Sequence, residues 1–493
     1  MMGDVTLPIW VVVLLVLTTL IALLDRLFMP SVRWFVRRRV NRAIDEVGAR
    51  LRISLRPFQL TKRQVLLDRL VYDSEVIATM QAYAQEHGMP REVAQAKVVT
   101  YAKEIVPAFN AYVYFRFGYW IAKKIARVLY TVRVGFLDPR RLQDVGSEAT
   151  VVFVMNHRSN MDYILVAYLV ARSSALSYAA GEWARVWPLE TLVRAMGAFF
   201  VRRNSQDPLY RKVLERYIHM ATDEGVCQAV FPEGGLSHDG FLRTPKLGVL
   251  DYMLRNYDLE RQRDIVFVPI GINYDRIVED KSLLRRRDPN APKRSRWFMY
   301  STFFQFWRKN MALSLDERRK RFGYASVNFG SPLSLKGYCV EHGIALHKMD
   351  RPDRFAEIQK LAANIMGRVA QVVPILPAPL VSTVFLSAPE ESLDSFEVKR
   401  RVHDLIRTLQ SNGAPIRANE IPKERTIQRA IDMLRYRGMV IEDNGHYRLD
   451  PAARELTEFY AHSIAHWATA SGQPADMAGS SQTSALSELP HRV

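Results

Sequence analysis

Short runs of β-forming residues alternate with longer helical patterns through the middle of this 493-residue chain. Four of the runs are ATVVFVM, GAFFVRR, CQAVFPE and DIVFVPIGI, and a fifth, ASVNFGSPLSL, begins at Ala325. The runs are apolar at most positions, which is typical of strands buried on both faces of a sheet. We therefore predict an α/β fold with a central mixed β-sheet flanked by helices. Residues that carry chemistry are expected where these strands end.

The composition favours an acidic partner. Lys and Arg together number 69 against 51 Asp and Glu, which gives a formal net charge of +18. Nucleic acid, an anionic membrane and phosphorylated substrates all suit such a charge. The 48% hydrophobic content excludes a wholly disordered chain. Two cysteines, Cys227 and Cys339, are too few for a disulfide framework, so we expect a reducing compartment.

The N-terminal region predicts a membrane anchor. Residues 7–24 carry no charge, and at about 1.5 Å per helical residue they are just long enough to cross a bilayer. Six arginines follow within residues 26–42, so the positive-inside rule places the rest of the chain in the cytoplasm. A signal peptide has the opposite charge order, and a buried core helix is the other alternative. We predict a cell inner membrane protein with one N-terminal transmembrane helix and its catalytic domain on the cytoplasmic side.

The patterns divide the chain into five parts. A helical region precedes the strand-rich part, and helices follow it, ending in a hairpin signal at Asn444-Gly445 that also suits a winged helix. The predicted parts are 1–39, anchor and basic juxtamembrane segment; 40–145, helical N-terminal region; 146–340, catalytic domain; 341–469, C-terminal helical region with hairpin; and 470–493, disordered tail.

The first strand run leads directly into NHRSNMD, where His157 follows the strand and Asp162 stands five residues later. A five-residue step turns an ideal helix by about 500°, so the side chains can meet only if His157 lies in a loop and Asp162 in the first helical turn. Ser159 and Asn160 are suitable N-cap residues for such a helix. An imidazole oriented by a carboxylate can act as a general base. The spacing alone also fits a structural His–Asp pair.

Two arginines, Arg202 and Arg203, end the run GAFFVRR. Guanidinium groups at the end of a strand suit a phosphate, because a phosphate accepts bidentate hydrogen bonds. An ordinary pair of surface arginines is the alternative.

The third run ends in FPEGGLS, which contains Glu233, a glycine pair at 234 and 235, and Ser237. The glycines allow backbone N–H groups to approach a ligand closely, and the glutamate can anchor a hydroxyl group or a loop. A plain tight turn is the alternative. In the fourth run Pro269 interrupts an apolar strand that suits either an acyl passage or the core.

Taken in order, the blocks NHRSNMD, GAFFVRR, FPEGGLS and VPIGI resemble the four motif blocks of the glycerolipid acyltransferase family, the first carrying the His-x4-Asp motif. Within this family the chain most resembles the bacterial membrane-bound glycerol-3-phosphate acyltransferases. The segments TPKLG, VNFGSP and FYAHSIAHW add to that resemblance, which covers residues 100 to 470.

The resemblance implies transfer of a fatty acyl group from an acyl-CoA or acyl carrier protein thioester to the 1-hydroxyl of glycerol 3-phosphate. The product, 1-acylglycerol 3-phosphate, begins phospholipid biosynthesis. His157 would be the general base and Asp162 would orient it, with no metal or cofactor. The implied binding residues are Arg203, Arg202 and Lys246 for the acceptor phosphate, Glu233, Gly234, Gly235 and Ser237 for the acceptor site, and Pro269 for the acyl-donor side. Anionic membrane lipid is a further expected partner, and nucleic acid is not expected.

One position departs from the family pattern, because Leu236 stands where an arginine usually follows the glycine pair. Other acceptors, such as 1-acylglycerol 3-phosphate or dihydroxyacetone phosphate, are therefore alternatives. A catalytically silent lipid-binding relative is another. A membrane-tethered nucleic-acid-binding protein would also use the positive charge, but the basic residues are spread along the chain rather than gathered in one module.

Overall fold

The computed structural model describes residues 57–136, 145, 148–170, 175–180, 189–202, 205–287, 317, 321–414, 416 and 421–468. The predicted anchor at residues 7–24 and the predicted disordered tail at 470–493 lie outside these ranges. Within the described ranges, none of the helices combines the length and the apolar character that crossing a bilayer requires. The anchor and the tail stay predictions.

Helices and strands alternate along the described chain. The strands are β1 (Thr131–Phe136), β2 (Thr150–Met155), β3 (Ser177–Ala180), β4 (Ala198–Phe200), β5 (Gln228–Val230), β6 (Ile265–Tyr274), β7 (Tyr324–Phe329), β8 (Leu333–Ser334), β9 (Leu393–Asp394), β10 (Val440–Asp443) and β11 (His446–Leu449). The helices are α1 (Pro57–Leu60), α2 (Arg63–Val71), α3 (Ser74–Glu86), α4 (Arg91–Ile105), α5 (Tyr119–Leu129), α6 (Met161–Val170), α7 (Leu189–Ala195), α8 (Pro208–Asp223), α9 (Gly248–Leu254), α10 (Asp280–Arg285), α11 (Leu335–His342), α12 (Arg351–Ala370), α13 (Pro377–Ser387), α14 (Ser395–Ser411), α15 (Glu424–Tyr436) and α16 (Arg454–Ala461). A π-helical turn, Val113–Gly118, leads into α5, and a 3-10 segment, His462–Trp467, follows α16.

The described strands β1 to β8 form the central sheet, in the spatial order β1-β7-β6-β2-β5-β3-β4 with β8 paired to β6. β2 runs parallel to both of its neighbours, β5 and β6. β6 is antiparallel to β7 and β8. The sheet is therefore mixed, as predicted. Its three central parallel strands end at the same edge.

Alternate residues of β2 enter two different hydrophobic clusters. Phe153 and Met155 pack in one cluster, and Val152 and Val154 pack in the other. Successive side chains of a strand point to opposite faces of a sheet, so both faces of β2 are buried. This confirms the prediction made from its continuous apolar run.

Two strands of the sheet were not predicted. β3 is only four residues long. β1 lies within the region predicted as helical and pairs in parallel with β7, so the sheet begins before the predicted boundary at residue 146. In β1 the apolar residues alternate with Arg133 and Gly135, and Val134 is 42% exposed. That alternation is typical of a half-exposed edge strand and gives a weaker signal than a continuous apolar run.

The C-terminal hairpin is confirmed. Strands β10 and β11 pair antiparallel on either side of Asn444 and Gly445. Both turn residues have positive φ, 48° and 80°, as a two-residue turn of this kind requires. β9 adds a third strand, and helices α14 and α15 precede the hairpin. The predicted helix–helix–hairpin order is therefore the observed order.

Candidate active site

The carboxyl ends of β5, β2 and β6 meet at one edge of the sheet, and the first motif block begins there. Asn156, directly after β2, exchanges two hydrogen bonds with the backbone of Ile272 in β6. Its side-chain amide donates to the Ile272 carbonyl at 2.9 Å, and the Ile272 N–H donates back to Oδ1 at 2.8 Å. The side chain thus continues the pairing of the sheet by one step and fixes the chain just before His157.

His157 and Asp162 meet in the expected way. His157 lies in the loop after β2, and Asp162 lies in the first turn of α6, where Ser159 Oγ caps the helix by accepting the Met161 N–H at 3.1 Å. The distance between His157 Nδ1 and Asp162 Oδ2 is 2.9 Å, and both side chains are buried. A carboxylate only accepts hydrogen bonds, so Nδ1 carries the proton and Nε2 keeps its lone pair. Nε2 has no hydrogen-bond partner among the described residues.

The Asp162 carboxylate accepts three further hydrogen bonds. The backbone N–H groups of Arg158 and Ser159 donate to Oδ2 at 2.7 and 3.0 Å. The Tyr274 hydroxyl, at the end of β6, donates to Oδ1 at 2.6 Å. The backbone donors follow from the tight loop that the motif forms, whereas nothing in the sequence pattern pointed to Tyr274.

Two aromatic rings hold the imidazole in place. The His157 ring lies 4.1 Å from the ring of Phe231 and 5.3 Å from that of Tyr163, measured between centroids. Phe231 follows β5 directly, so the third motif block packs against the first.

Glu233 joins the same two blocks through hydrogen bonds. Its Oε1 accepts the His157 N–H at 3.3 Å, and the Ser237 N–H donates to the His157 carbonyl at 3.0 Å. Burial raises the pKa of Glu233 to about 8, so its carboxyl group is mostly protonated at neutral pH. Oε2 is buried, and no described residue bonds to it. Glu233 therefore offers a hydrogen-bonding group beside the imidazole.

A second acid near the loop, the half-buried Glu279, was not predicted. It follows β6 and accepts hydrogen bonds from the Ser159 hydroxyl at 3.0 Å and the Asn160 N–H at 2.5 Å. Burial raises the pKa of Glu279 to about 7. Glu279 fixes the loop between His157 and Asp162 from the side opposite the third block.

The glycine pair brings Lys246 to the third block. Gly234 has a φ of +68°, and a Cβ there would lie 2.6 Å from Lys246 Cδ. The Lys246 N–H donates to the Pro232 carbonyl at 2.7 Å. Gly235 continues the same turn. This close approach of the lysine stem to the backbone requires a glycine at 234.

Ser237 has a structural role in the loop. Its hydroxyl donates to the Phe241 carbonyl at 2.9 Å and accepts the Gly240 N–H at 3.0 Å. These bonds close the turn from Ser237 to Phe241, which follows the glycine pair, and they engage the hydroxyl that was predicted to shape the acceptor site.

Two cations follow the third block, Arg243 and Lys246. Lys246 is exposed and Arg243 is half-buried. No described residue forms a hydrogen bond or an ion pair with either side chain. Arg243 lies near enough to Glu233 to favour the charged form of that acid.

The structure places the second block at some distance. β4 is three strands from β2, which at about 4.8 Å per strand is about 14 Å. Arg202 forms a bidentate pair with Glu104, at 2.9 and 2.6 Å. Arg203 lies outside the described residues. The pair gives Arg202 a structural partner, and the predicted phosphate contacts of both arginines stay predictions.

Leu236 and Pro269 are both buried. Leu236 is 7% exposed and belongs to the main hydrophobic cluster, so the residue that replaces the family's arginine serves as a core side chain here. Pro269 pairs with Val154 inside the sheet, between the positions at which β6 pairs with β7 and with β8. That gap tolerates the missing N–H group. The predicted contact of Pro269 with the acyl donor stays a prediction.

Arg158 is buried between the catalytic domain and the C-terminal region. One of its guanidinium nitrogens donates to the Gly240 carbonyl, and the guanidinium lies 5.1 Å from the ring of Phe459. Burial lowers the pKa of Arg158. Its Nε and Nη2 have no partner among the described residues. A cation held over an aromatic ring offsets part of the loss of hydration.

The C-terminal segment contacts the loops after β5 and β6. The Tyr460 hydroxyl accepts the Ile277 N–H at 2.9 Å. The ring of His462 stacks on Phe241 with centroids 3.8 Å apart, and His462 Nδ1 donates to the Asp239 carbonyl at 2.8 Å. These contacts hold the loops of the site from outside the sheet.

Within the described ranges, no group of three or more His, Cys, Asp and Glu side chains could hold a metal ion.

Two family models match the chain. The model described as "Acyltransferase" matches residues 137–273, a range that contains all four motif blocks. The model described as "Glycerol-3-phosphate acyltransferase C-terminal region" matches residues 311–472.

Curated relatives named glycerol-3-phosphate acyltransferase are similar to the chain over most of its length. One from Pseudomonas paraeruginosa is 29% identical over 373 residues, which is 74% of this chain and 43% of the relative. One from Pseudomonas putida is 26% identical over 422 residues, which is 83% of this chain and 49% of the relative. The chain thus spans less than half the length of these relatives.

A solved structure, that of a 1-acyl-sn-glycerophosphate acyltransferase from Thermotoga maritima, covers 62% of this chain and 96% of its own at 15% identity. Its TM-score of 0.29 is too low to support an inference about this chain. The two family models and the curated relatives confirm the resemblance found in the motifs: the chain is similar to the acyltransferases and, among them, to the glycerol-3-phosphate acyltransferases.

Proposed function

We propose that the protein transfers a fatty acyl group from an acyl thioester to the 1-hydroxyl of glycerol 3-phosphate, giving 1-acylglycerol 3-phosphate. The observation that carries the proposal is the His157 imidazole, whose Nδ1 is bonded to Asp162 while Nε2 has no partner among the described residues. The names of the curated relatives support glycerol 3-phosphate as the acceptor.

His157 acts as the general base in this proposal. Nε2 takes the proton of the acceptor hydroxyl as its oxygen attacks the thioester carbonyl carbon. A C–O bond forms, the C–S bond breaks, and the imidazolium returns the proton to the thiolate that leaves. Asp162 stabilises the imidazolium because its carboxylate lies 2.9 Å from Nδ1. These reaction steps need neither a covalent acyl-enzyme nor a metal.

Cations around the third block bind the acceptor phosphate. Lys246 and Arg243 supply positive charge that described residues do not neutralise, and Arg203 is the further cation that the family motif assigns. Because Leu236 is a core residue, these three cations take the place of the family's arginine at that position. Dihydroxyacetone phosphate and 1-acylglycerol 3-phosphate carry the same phosphate and are the alternative acceptors.

The membrane placement belongs to the proposal as well. The apolar residues 7–24 and the arginines after them support a single anchor that leaves the catalytic domain at the cytoplasmic face, beside anionic lipid. Recovery of the full chain in the soluble fraction after cell lysis would contradict the anchor.

An acyl-transfer assay tests the function. Purified full-length protein is incubated with an acyl-CoA or an acyl carrier protein thioester and each of the three acceptors. We expect glycerol 3-phosphate to be used best, and His157→Ala to lower kcat by about 10²- to 10⁴-fold, the usual contribution of a general base. His342→Ala is the matched control, because this exposed histidine bonds only to a carbonyl of its own helix.

Two results would overturn the proposal. Wild-type protein that acylates none of the phosphorylated acceptors would exclude the reaction, and His157→Ala protein with wild-type activity would exclude the base. A salt-dependent shift of DNA at nanomolar protein in an inactive preparation would favour the nucleic-acid-binding alternative.

A further inference from the structure

Tyr274 stands where β6 extends beyond β2. Met155, the last residue of β2, pairs with Ile270, so the final four residues of β6 run past it alongside the loop that holds His157. At the end of this extension the Tyr274 hydroxyl donates to Asp162 Oδ1 at 2.6 Å. Tyr274 is completely buried. Burial raises the pKa of Tyr274 well above its usual value, so the hydroxyl stays protonated and donates a hydrogen bond to the carboxylate.

A neighbouring tyrosine shows what an ordinary buried hydroxyl does here. The Tyr130 ring lies 5.3 Å from the Tyr274 ring, and the Tyr130 hydroxyl donates to the Arg276 carbonyl at 2.9 Å. Both tyrosines are buried, and each hydroxyl has one acceptor. They differ in that acceptor: Tyr130 bonds to the backbone, and Tyr274 bonds to the acid that orients His157.

The bond from Tyr274 lies on the side of Asp162 that faces away from the imidazole. Oδ2 receives the His157 Nδ1–H and two backbone N–H groups, whereas Oδ1 receives the Tyr274 hydroxyl. Hydrogen bonds to both oxygens fix the rotation of the carboxylate, which in turn fixes the ring that it holds. They also stabilise the charged form of the acid in a buried site.

Other titratable groups face this pair from the elements around it. They are His157 and Arg158 in the loop after β2, Glu233 after β5, Glu279 after β6, and Tyr130 before β1. Among these described groups, His157 is the one whose side chain forms a hydrogen bond to the Asp162 carboxylate. Tyr274 is therefore the side chain that completes the carboxylate's set of donors.

We propose that Tyr274 is a positioning residue for acyl transfer: by holding Asp162 Oδ1, it fixes the orientation and the basicity of the His157–Asp162 pair. The proposal rests on the function proposed above, because it assigns His157 the role of base. It predicts that loss of one phenolic oxygen slows the chemical step and leaves substrate binding unchanged.

The test compares Tyr274→Phe with Tyr130→Phe, each of which removes one hydroxyl from a buried ring. We expect Tyr274→Phe to lower kcat by about tenfold, the effect of losing one hydrogen bond to a charged group, with both KM values unchanged. The acid limb of the rate profile moves to higher pH, because a carboxylate with one donor fewer makes it easier for the pair to take up a proton. Tyr130→Phe keeps the wild-type kcat and acid limb. Equal effects of the two variants would overturn the proposal.

A double-mutant cycle separates positioning from stability. If Tyr274 acts through Asp162, Tyr274→Phe has little further effect on kcat in an Asp162→Asn background. Additive losses would overturn the proposal.

Should Tyr274→Phe fail to fold, 3-fluorotyrosine at position 274 keeps the ring and the bond with a more acidic hydroxyl. Its acid limb must move to lower pH, and an unchanged limb would overturn the proposal.

A measurement without substrate distinguishes failure of this proposal from failure of the proposed function. Histidine-selective ¹³C labelling, with His157→Gln used to assign the signal among the 11 histidines, follows His157 as the pH is changed. The His157 signal is expected to titrate at higher pH in Tyr274→Phe than in wild type. An unchanged titration overturns the role of Tyr274, even if no acceptor is ever acylated; a shifted titration in an inactive protein overturns only the function.

Discussion

Burial changes the chemistry of two carboxyl groups beside His157. It raises the pKa of Glu233 to about 8 and that of Glu279 to about 7. A protonated carboxyl group can donate a hydrogen bond as well as accept one, so Glu233 suits a substrate hydroxyl or phosphate oxygen. The same burial lowers stability at high pH, when these groups must ionise away from water.

Replacement of Glu233 tests this effect. In the unfolded chain Glu233 ionises near pH 4.5, and in the folded protein near pH 8. Unfolding therefore releases a proton between these values, and the free energy of unfolding falls as pH rises through the window. Glu233→Gln keeps an oxygen for the His157 N–H and cannot ionise. We expect the free energy of unfolding of the variant, measured by urea unfolding, to equal that of wild type near pH 4.5. Above that pH it should exceed the wild-type value by on the order of 1 kcal/mol more for each pH unit, up to pH 8.

Glu397→Gln is the control of opposite sign. Hydrogen bonds from Arg400 and Arg401 lower the pKa of Glu397 to about 2. The stability that this acid contributes is present above pH 4.5 and is lost as pH falls towards 2. The Glu397→Gln variant should thus be less stable than wild type at neutral pH and equal to it at low pH.

A Glu233→Gln variant that loses stability at pH 8 would show that the group is ionised in the folded state.

The two arginines of the second block are expected to differ. Arg202 is paired with Glu104, and Arg203 is the position that the family motif assigns to the phosphate. Arg203→Ala should raise the KM for the acceptor far more than that for the acyl donor, by about tenfold or more for a lost charged hydrogen bond. Arg202→Ala should lower the melting temperature with a smaller change in the acceptor KM. Equal effects of Arg203→Ala on both KM values would make that residue structural.

The strand ends that form the candidate site are in contact with the C-terminal segment. Strands β5, β2 and β6 bring their carboxyl ends to one edge, and the segment from α16 to Trp467 packs against the loops that follow β5 and β6. Gly240 lies at this contact with a φ of +93°, and a Cβ there would lie 2.1 Å from the Phe459 carbonyl oxygen. The C-terminal segment therefore approaches the third block closely enough to require a glycine.

Two glycine-to-alanine variants measure how much this contact contributes to stability and activity. Gly240→Ala and Gly343→Ala both place a side chain at positive φ, but a Cβ at Gly343 has no atom within 4 Å. Gly343→Ala should cost about 1–2 kcal/mol of stability, the penalty of the left-handed backbone, and keep its kcat. Gly240→Ala carries the same penalty and must also displace Phe459 from Arg158, so it should lower both stability and kcat. Matching melting temperatures and rates for the two variants would show that the contact is not needed.

The whole molecule joins a region similar to the acyltransferases to a C-terminal region similar to that of the glycerol-3-phosphate acyltransferases. The family-model match at residues 137–273 contains strands β2 to β5 and most of β6, and the match at residues 311–472 contains β7, β8 and the helices from α11 onwards. The second match contains Phe459, which contacts Arg158 in the first match, and Tyr460, which bonds to Ile277 just after it. The two matched regions are therefore in contact beside the candidate active site.

Much of this arrangement could be predicted from local sequence. The continuous apolar runs identified β2, β5, β6 and β7, and Asn444-Gly445 identified the hairpin. The five-residue spacing in the first motif predicted how His157 and Asp162 meet. Each of these signals lies within a window of about ten residues, where backbone preferences and side-chain periodicity act directly.

The sequence by itself determined strands β2, β4, β5, β6 and β7, the motif residues at their ends and the local geometry of the His157–Asp162 loop. Only the tertiary structure decided which distant residues complete the site: Tyr274 at the end of β6, Glu279 after it, the partner that Arg202 takes, and the Phe459 ring over Arg158. The reason is physical. Strand order and register depend on hydrogen bonds and packing between segments up to about two hundred residues apart, and no local pattern specifies those pairings.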